Sequence, residues 1–314
     1  MSKIVSITEK TVPFVIHPET QIGQVVLKVM DLKRQIAFYE DVVGLHVIQQ
    51  DETKASLAGK GSDKAILILE KTADELQASR STGVFHTAFL VPTREAFATK
   101  FFQILRSKKT VDSPVEQEAR FTHFERFIPI ARLDSASDHG YSEAFYLYDI
   151  EGNGIEIYVD RPVEDCSKYP GGSNPLNFKE LANLADFDSD GSLPATTTIG
   201  HMHLRVANVE ESIKFYVDVV GFEKQTVLDS AFFISAGGYH HHIAGNVWAG
   251  ENNPQPPANA TGLKEYTIVL PTKDTLEELK NQFEKHNYEV HVHEQTLSTK
   301  DPSGNRIIFE IQKK

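Results

Sequence analysis

The stretches Ile22–Leu45, IGQVVLKVMDLKRQIAFYEDVVGL, and Ile199–Phe222, IGHMHLRVANVEESIKFYVDVVGF, align without a gap. They share Ile-Gly, Leu-x-Val and Ile-x-Phe-Tyr-x-Asp-Val-Val-Gly. Two further segments open at Gly83 (GVFHTAFLVPT) and at Gly262 (GLKEYTIVLPT), and close on DIEGNGIEIY and DPSGNRIIFEIQ. A repeat on this scale decides the architecture before any single residue is considered. It also gives each module a sister that shows the same position without the same side chain.

In IGHMHLRV the residues alternate, with His201, His203 and Arg205 on one face and Met202, Leu204 and Val206 on the other. Period two predicts a strand with one apolar and one polar face. Asn208 then suits a helix N-cap, with Glu210 and Glu211 in the first turn. Val209, Ile213, Tyr216 and Val217 recur at helical spacing, and Gly221 ends the helix. Asp31 to Gly44 follows the same grammar. Short β-like runs such as KAILILE, AFFISAG and HHHIAGN complete the modules. The order strand, helix, strands, four times over, predicts an α+β protein whose curved sheets carry helices on their outer faces.

A break falls between Pro162 and Ala195, where Pro-Gly-Gly at 170–172, Pro175 and the acidic run DFDSDGS precede Pro194. Such composition marks a linker, with a short helix expected at Asn177–Ala185. The division expected is 15–162 for modules one and two, 163–194 for the linker, and 195–314 for modules three and four.

The 314 residues suffice for two domains with sizeable cores. A net charge of −12 argues against nucleic-acid binding, which needs clustered Lys and Arg. No apolar run approaches the roughly 20 residues of a membrane span. The start MSKIVSITEK lacks the apolar stretch of a secretory signal. Cys166 is the sole cysteine, so neither an internal disulfide nor a cysteine cluster can form. A reducing cytoplasm is the setting expected, and a homo-oligomer is compatible with these properties.

His86 sits in VFHTAFLV, where Phe85, Thr87, Phe89 and Val91 fall on the opposite face. Glu156 sits in GIEIYV between Ile155 and Ile157, on the strand leaving the DIEGNG hairpin signal. A carboxylate there is costly to bury unless paired or coordinated. His201 supplies a third such residue. A lone strand histidine is ordinarily a packed side chain, but the sisters sharpen the case. Gln24 stands where His201 does, Glu265 opposite His86, and Ile308 opposite Glu156, with Glu310 two residues on and out of register. Two histidines and a carboxylate with open positions on one side form the facial triad of non-heme Fe(II) oxygenases. Open positions are needed because substrate and dioxygen bind the same ion.

These segments, with SAGGYHHHIAGNVWAG and SDHGYSEAFYLYDIEGNGIEIYVDRP, resemble the vicinal-oxygen-chelate (glyoxalase-like) superfamily. Within it they are most similar to the two-domain type I extradiol ring-cleaving dioxygenases, the catechol 2,3-dioxygenases of bacilli in particular. The resemblance covers essentially the whole chain. It implies a fold of four βαβββ modules in two domains, paired so that two modules close a cup around one metal. The ion implied is Fe(II), with Mn(II) the other ion compatible. The substrates implied are dioxygen and a catechol-like or hydroquinone-like diphenol, whose ring opens beside the diol. The best-studied extradiol enzymes take all three ligands from the C-terminal domain. Here His86 and Glu156 precede the linker and His201 follows it, so the site is expected where modules two and three meet.

The same resemblance implies a proton-handling histidine in Tyr239-His240-His241-His242, either His241 or His242. Alternation there would place His240 and His242 on one face and His241 on the other. Histidine suits the task because its unperturbed pKa lies near working pH. Tyr146 resembles a tyrosine that hydrogen-bonds a substrate oxygen, and His139 a second acid/base. Two other readings stay open. One is a glyoxalase-type isomerase or lyase using Gln24, Glu265 and Glu310 in the other cup. The other is a metal-free protein that binds an aromatic compound.

Overall fold

A computed structural model describes residues 13–107 and 133–312. Module one comprises β1 (Gln21–Val29), a helix at Leu32–Phe38, β2 (His46–Gln50), β3 (Lys54–Ala58) and β4 (Leu67–Lys71). Module two has β5 (Gly83–Leu90), a helix at Arg94–Ser107, β6 (Leu133–Asp138), β7 (Ser142–Tyr148) and β8 (Gly154–Asp160). Module three has β9 (Thr198–Arg205), a helix at Val209–Ile213, β10 (Glu223–Leu228), β11 (Ala231–Ser235) and β12 (Ile243–Asn246). Module four has β13 (Gly262–Leu270), a helix at Lys273–Lys285, β14 (His291–His293), β15 (Thr296–Lys300) and β16 (Arg306–Ile311). The α+β repeat read from the sequence is this one.

The expected caps are present: Asp31 and Asn208 accept the backbone N–H groups of Arg34 and Glu211. Each of these two helices then widens into a π turn, at Tyr39–Val43 and Lys214–Val219. The turns end at Gly44 and Gly221, with φ of 89° and 91°. The linker helix forms at Phe178–Leu184, capped by the Asn177 side chain.

Two eight-stranded sheets result, ordered β14-β15-β16-β13-β1-β4-β3-β2 and β10-β11-β12-β9-β5-β8-β7-β6. In each module the first strand runs parallel to the last, and modules join through antiparallel first strands, β1 with β13 and β5 with β9. Module two therefore shares a sheet with module three, and module one with module four. Each of the stretches 15–162 and 195–314 contributes half of both sheets, so a cut at the linker passes through each of them. The linker packs on module two, where Asp138 and Asn174 exchange backbone bonds at 2.8 and 2.9 Å, and its end reaches module one, where Leu193 accepts from Lys60 and donates to Gly44 at 2.8 Å.

The faces turned away from the cups, with residues such as Val25, Leu27, Phe89, Leu204 and Tyr266, form one continuous apolar core with the helices. Two equivalent polar joints cross it. Tyr39 donates its hydroxyl to Asp149 Oδ2 at 3.1 Å, and Tyr216 to Asp301 Oδ2 at 2.9 Å. Each aspartate also accepts two backbone N–H groups of its own turn and the amide of Asn153 or Asn305. Burial raises the carboxyl pKa of both aspartates, against the pull of these donors. The repeated Phe-Tyr and Asp-x-x-Gly-Asn motifs thus meet each other, one from each sheet.

A hydrogen bond to a buried carboxylate contributes about 1.5–3 kcal/mol. Tyr39→Phe and Tyr216→Phe should each lower the unfolding free energy by about that amount in urea titrations. Because the two joints share no residue, the double variant should lose close to the sum. A loss under about 0.5 kcal/mol for either would show that the joint is dispensable.

Candidate metal centre

Three neighbouring strands at the middle of one sheet carry the donors: His201 on β9, His86 on β5 and Glu156 on β8. Ala88 on the central strand is paired with Glu156 on one side and His201 on the other. Its methyl group is fully buried between them, and that small residue leaves the row open for two larger side chains to reach inward. Gly154 and Gly200 permit the close approach. An added Cβ at Gly154 would lie 2.0 Å from the Phe85 carbonyl oxygen, and one at Gly200 1.7 Å from the Tyr158 hydroxyl.

The Nε2 atoms of His86 and His201 each lie 2.9 Å from the same oxygen, Glu156 Oε2. Only His201 meets it with hydrogen-bond geometry; Nε2 of His86 is buried and has no hydrogen-bond partner. Two ring nitrogens aimed at one carboxylate oxygen, one of them unpaired, is the arrangement of side chains directed at a shared centre. Neighbouring ligands about 2.1 Å from a divalent ion stand about 3 Å apart, so the spacing fits. Among the described residues this is the sole group of three His, Cys, Asp or Glu ligand atoms that close together.

The electrostatics agree. Burial alone would raise the Glu156 carboxyl, but His201 and His86 outweigh it and hold the pKa well below the usual range. Burial keeps the His201 imidazole below its ordinary pKa against the opposing pull of Glu156. An ionised carboxylate beside a neutral imidazole is the form that metal binding requires.

Glu156 Oε1 lies 3.2 Å from the Tyr146 hydroxyl, which also lies 2.9 Å from His139 Nε2. The other ring nitrogen of His139 donates to the Gly172 carbonyl at 2.8 Å. Tyr146 and His139 therefore form a hydrogen-bonded string behind the carboxylate. Burial and the Glu156 charge raise the Tyr146 pKa, so its hydroxyl keeps its proton.

A cavity of about 710 Å³ opens over these groups. His241 lines it, with its ring centroid 4.1 Å from that of His201. His242 turns away: its Nδ1 accepts the Ala236 backbone N–H at 3.1 Å and its ring packs on Tyr239. His240 faces the cavity beside His241, contrary to the alternation expected. The run Tyr239–His242 is an irregular loop before β12, and strand periodicity does not apply to it. Phe85 is a second correction. A bulge between Val84 and His86 turns it onto the cavity side, where it meets His203 at 4.9 Å and Trp248 at 5.2 Å.

His203 was legible as sharing the face of His201, yet nothing in the pattern marked it for the site. It is buried, and its Nε2 accepts from the Asn246 amide at 2.9 Å. The other cup differs at each position. Thr267 pairs with Ile308 where Ala88 pairs with Glu156, and Glu265 is matched to Arg306 at 3.2 Å. Glu310 pairs with Val269, two rows further along.

The family model described as the Glyoxalase/Bleomycin resistance protein/Dioxygenase superfamily matches residues 21–157 and 198–309. The chain is 36% identical over 306 residues to the catechol-2,3-dioxygenase of Bacillus subtilis (strain 168), covering 94% of this chain and 99% of that one. Among solved structures, glyoxalase I from Zea mays is similar at a TM-score of 0.52 and 14% identity, covering 93% of this chain and 92% of that one. The cppA protein from Streptococcus pneumoniae TIGR4 is similar at 0.50 and 14%, covering 93% and 99%. At such identities the two structures share the fold with this chain.

Ala88→Thr would install the residue of the sister cup in the row between Glu156 and His201. Divalent-metal affinity should fall at least about tenfold while the circular dichroism spectrum is kept. Unchanged affinity by metal titration would mean that the row is not as confined as its pairing implies.

Proposed function

We propose that this chain, which belongs to the Glyoxalase/Bleomycin resistance protein/Dioxygenase superfamily, is an extradiol dioxygenase opening a catechol-like ring at Fe(II) held by His86, Glu156 and His201. The observation that carries the proposal is the buried Glu156 carboxylate: among the described residues its ion-pair partners are two histidines, both at 2.9 Å from one oxygen. An ionised carboxylate with no Lys or Arg beside it is stabilised by a bound cation. The name of the 36% identical relative supports the reaction class.

Bound Fe(II) would supply adjoining positions for both diphenol oxygens and for dioxygen, and pass an electron between them. Chelation through both oxygens needs them on neighbouring ring carbons, which favours catechol-like over hydroquinone-like substrates. The cavity of about 710 Å³ exceeds the roughly 150 Å³ that encloses a single benzene ring, leaving room for a substituent. Phe85 and Trp248, edge to face at 5.2 Å, offer that ring an apolar wall and exclude water from one side. His241, beside His201, takes a proton from the diphenol and returns one as the ring opens. Tyr146 holds the free oxygen of Glu156, and His139 links that hydroxyl toward the partly exposed loop.

The other cup gives no comparable support for an isomerase, because Arg306 occupies Glu265 and Thr267 with Ile308 fill its central row.

With catechol as substrate, the iron-loaded protein should consume oxygen. His201→Ala should lose iron and turnover together, since two remaining ligands hold the ion poorly. His241→Phe should keep iron per chain near wild type and lower kcat about 10²–10⁴-fold. Oxygen-independent turnover of a carbonyl substrate would overturn the dioxygenase reading, and aromatic binding indifferent to all three ligands would favour a metal-free binding protein.

Glu265→Gln should leave oxygen uptake within about twofold of wild type, as for a side chain outside the site. A large loss with unchanged stability would move the chemistry to the other cup.

A further inference from the structure

Asp160, His240 and His241 form a hydrogen-bonded chain along the cavity wall. Asp160 Oδ1 lies 2.9 Å from His240 Nε2, and His240 Nδ1 lies 2.8 Å from His241 Nδ1. Asp160 Oδ2 accepts the Tyr239 hydroxyl at 2.9 Å, whose oxygen lies 2.7 Å from that of Tyr158. The rings have little freedom to turn. His240 stacks on Tyr141 at 4.5 Å and 21°, and His241 lies between His201 and Phe233 at 4.1 and 5.2 Å.

The direction of each bond follows from what each atom can do. A carboxylate accepts only, so His240 Nε2 carries a proton. In a neutral His240 the Nδ1 is then bare and must accept. The facing nitrogen, Nδ1 of His241, must donate. A neutral His241 so fixed carries its proton on Nδ1, and Nε2, at the far edge of the ring, is the unprotonated atom.

We propose that Asp160 and His240 are positioning residues that set the tautomer of His241 and leave its Nε2 free to accept a substrate proton. The proposal rests on reading His241 as the proton-handling residue, and it adds how the chain keeps that ring in the form the task needs. Tyr239 is part of the same device, because its hydroxyl holds the second oxygen of Asp160 and so fixes the carboxylate facing His240. Without the chain, both tautomers of His241 are available, and the one with Nε2 protonated cannot act as the base.

The test uses full-length protein with ¹⁵N-labelled histidine, loaded with diamagnetic Zn(II), alongside kinetics of the iron-loaded protein with catechol. Wild type should show His241 protonated on Nδ1 alone. Asp160→Ala, and His240→Phe (which keeps an aromatic ring against Tyr141), should shift His241 toward the Nε2-protonated form. In both, kcat should fall about 10–10²-fold, within the contribution of the base itself, with KM and iron per chain near wild type. Asp160→Glu should restore part of kcat. A wild-type His241 protonated on Nε2, or a tautomer indifferent to both variants, would overturn the inference. So would kcat within about twofold of wild type in both variants while His241→Phe is impaired. If His241→Phe itself turned over normally, the acid–base reading would fail, and the tautomer measurement would still decide whether Asp160 and His240 set it.

Discussion

Antiparallel pairing of β5 with β9 is the contact on which the site depends. Each module alone carries at most two of the donors: His86 and Glu156 belong to one, His201 to another. Within its module Ala88 pairs with Glu156, and the joining of first strands sets His201 on its other side, so that residues 45 positions apart in sequence become neighbours in a row. The Tyr39–Asp149 and Tyr216–Asp301 joints hold the same geometry from the other side of the core. Asp149 fixes the turn from which β8 departs, so the joint and the placement of Glu156 are consecutive steps along one chain segment. A buried carboxylate accepting four hydrogen bonds tolerates little displacement.

The two cups share backbone and differ in row chemistry. His86 faces His203 across β5 and β9, as Glu265 faces Val26 across β13 and β1. One cup keeps a small residue at the centre and polar donors around it. The other fills the centre with Thr267 and Ile308 and pairs Glu265 with Arg306, and Glu70 with Lys54 and Lys264. Burying Glu156 with no Lys or Arg beside it is an expense that a packed Ile avoids. The fold therefore tolerates both solutions, and folding alone does not call for the polar row at this one cup.

Period-two patterning made His86, Glu156 and His201 legible, because in a regular strand it assigns a face without ambiguity. The helix caps and the linker helix were legible for the same local reason. Partner choice was not. Periodicity says which way a side chain points and nothing about which strand lies alongside; the meeting of module two with module three was expected only from which modules carry His86, Glu156 and His201, and β5 pairs with β9 accordingly. Phe85 and His240 were misplaced where local regularity ends, one at a bulge and the other in an irregular loop. Trp248 stands in the run SAGGYHHHIAGNVWAG, yet no periodicity placed it at the cavity: it is half exposed, and its indole N–H reaches Ser230 on the neighbouring hairpin at 3.2 Å.

The misplaced residues are the ones that give the cavity its character. Donors on strands are held by ladders on both sides, whereas Phe85, His240, His241 and Trp248 come from a bulge and from the segments flanking β12. A bulge shifts one side chain without disturbing the ladder beyond it. The loop at Tyr239–His242 likewise brings two adjacent histidines to one cavity wall, where a strand would have sent them to opposite faces. Converging His86, Glu156 and His201 needs the regularity of the strands, and lining the space above them needs departures from that regularity. The β-bulge beside His86 meets both demands within two residues.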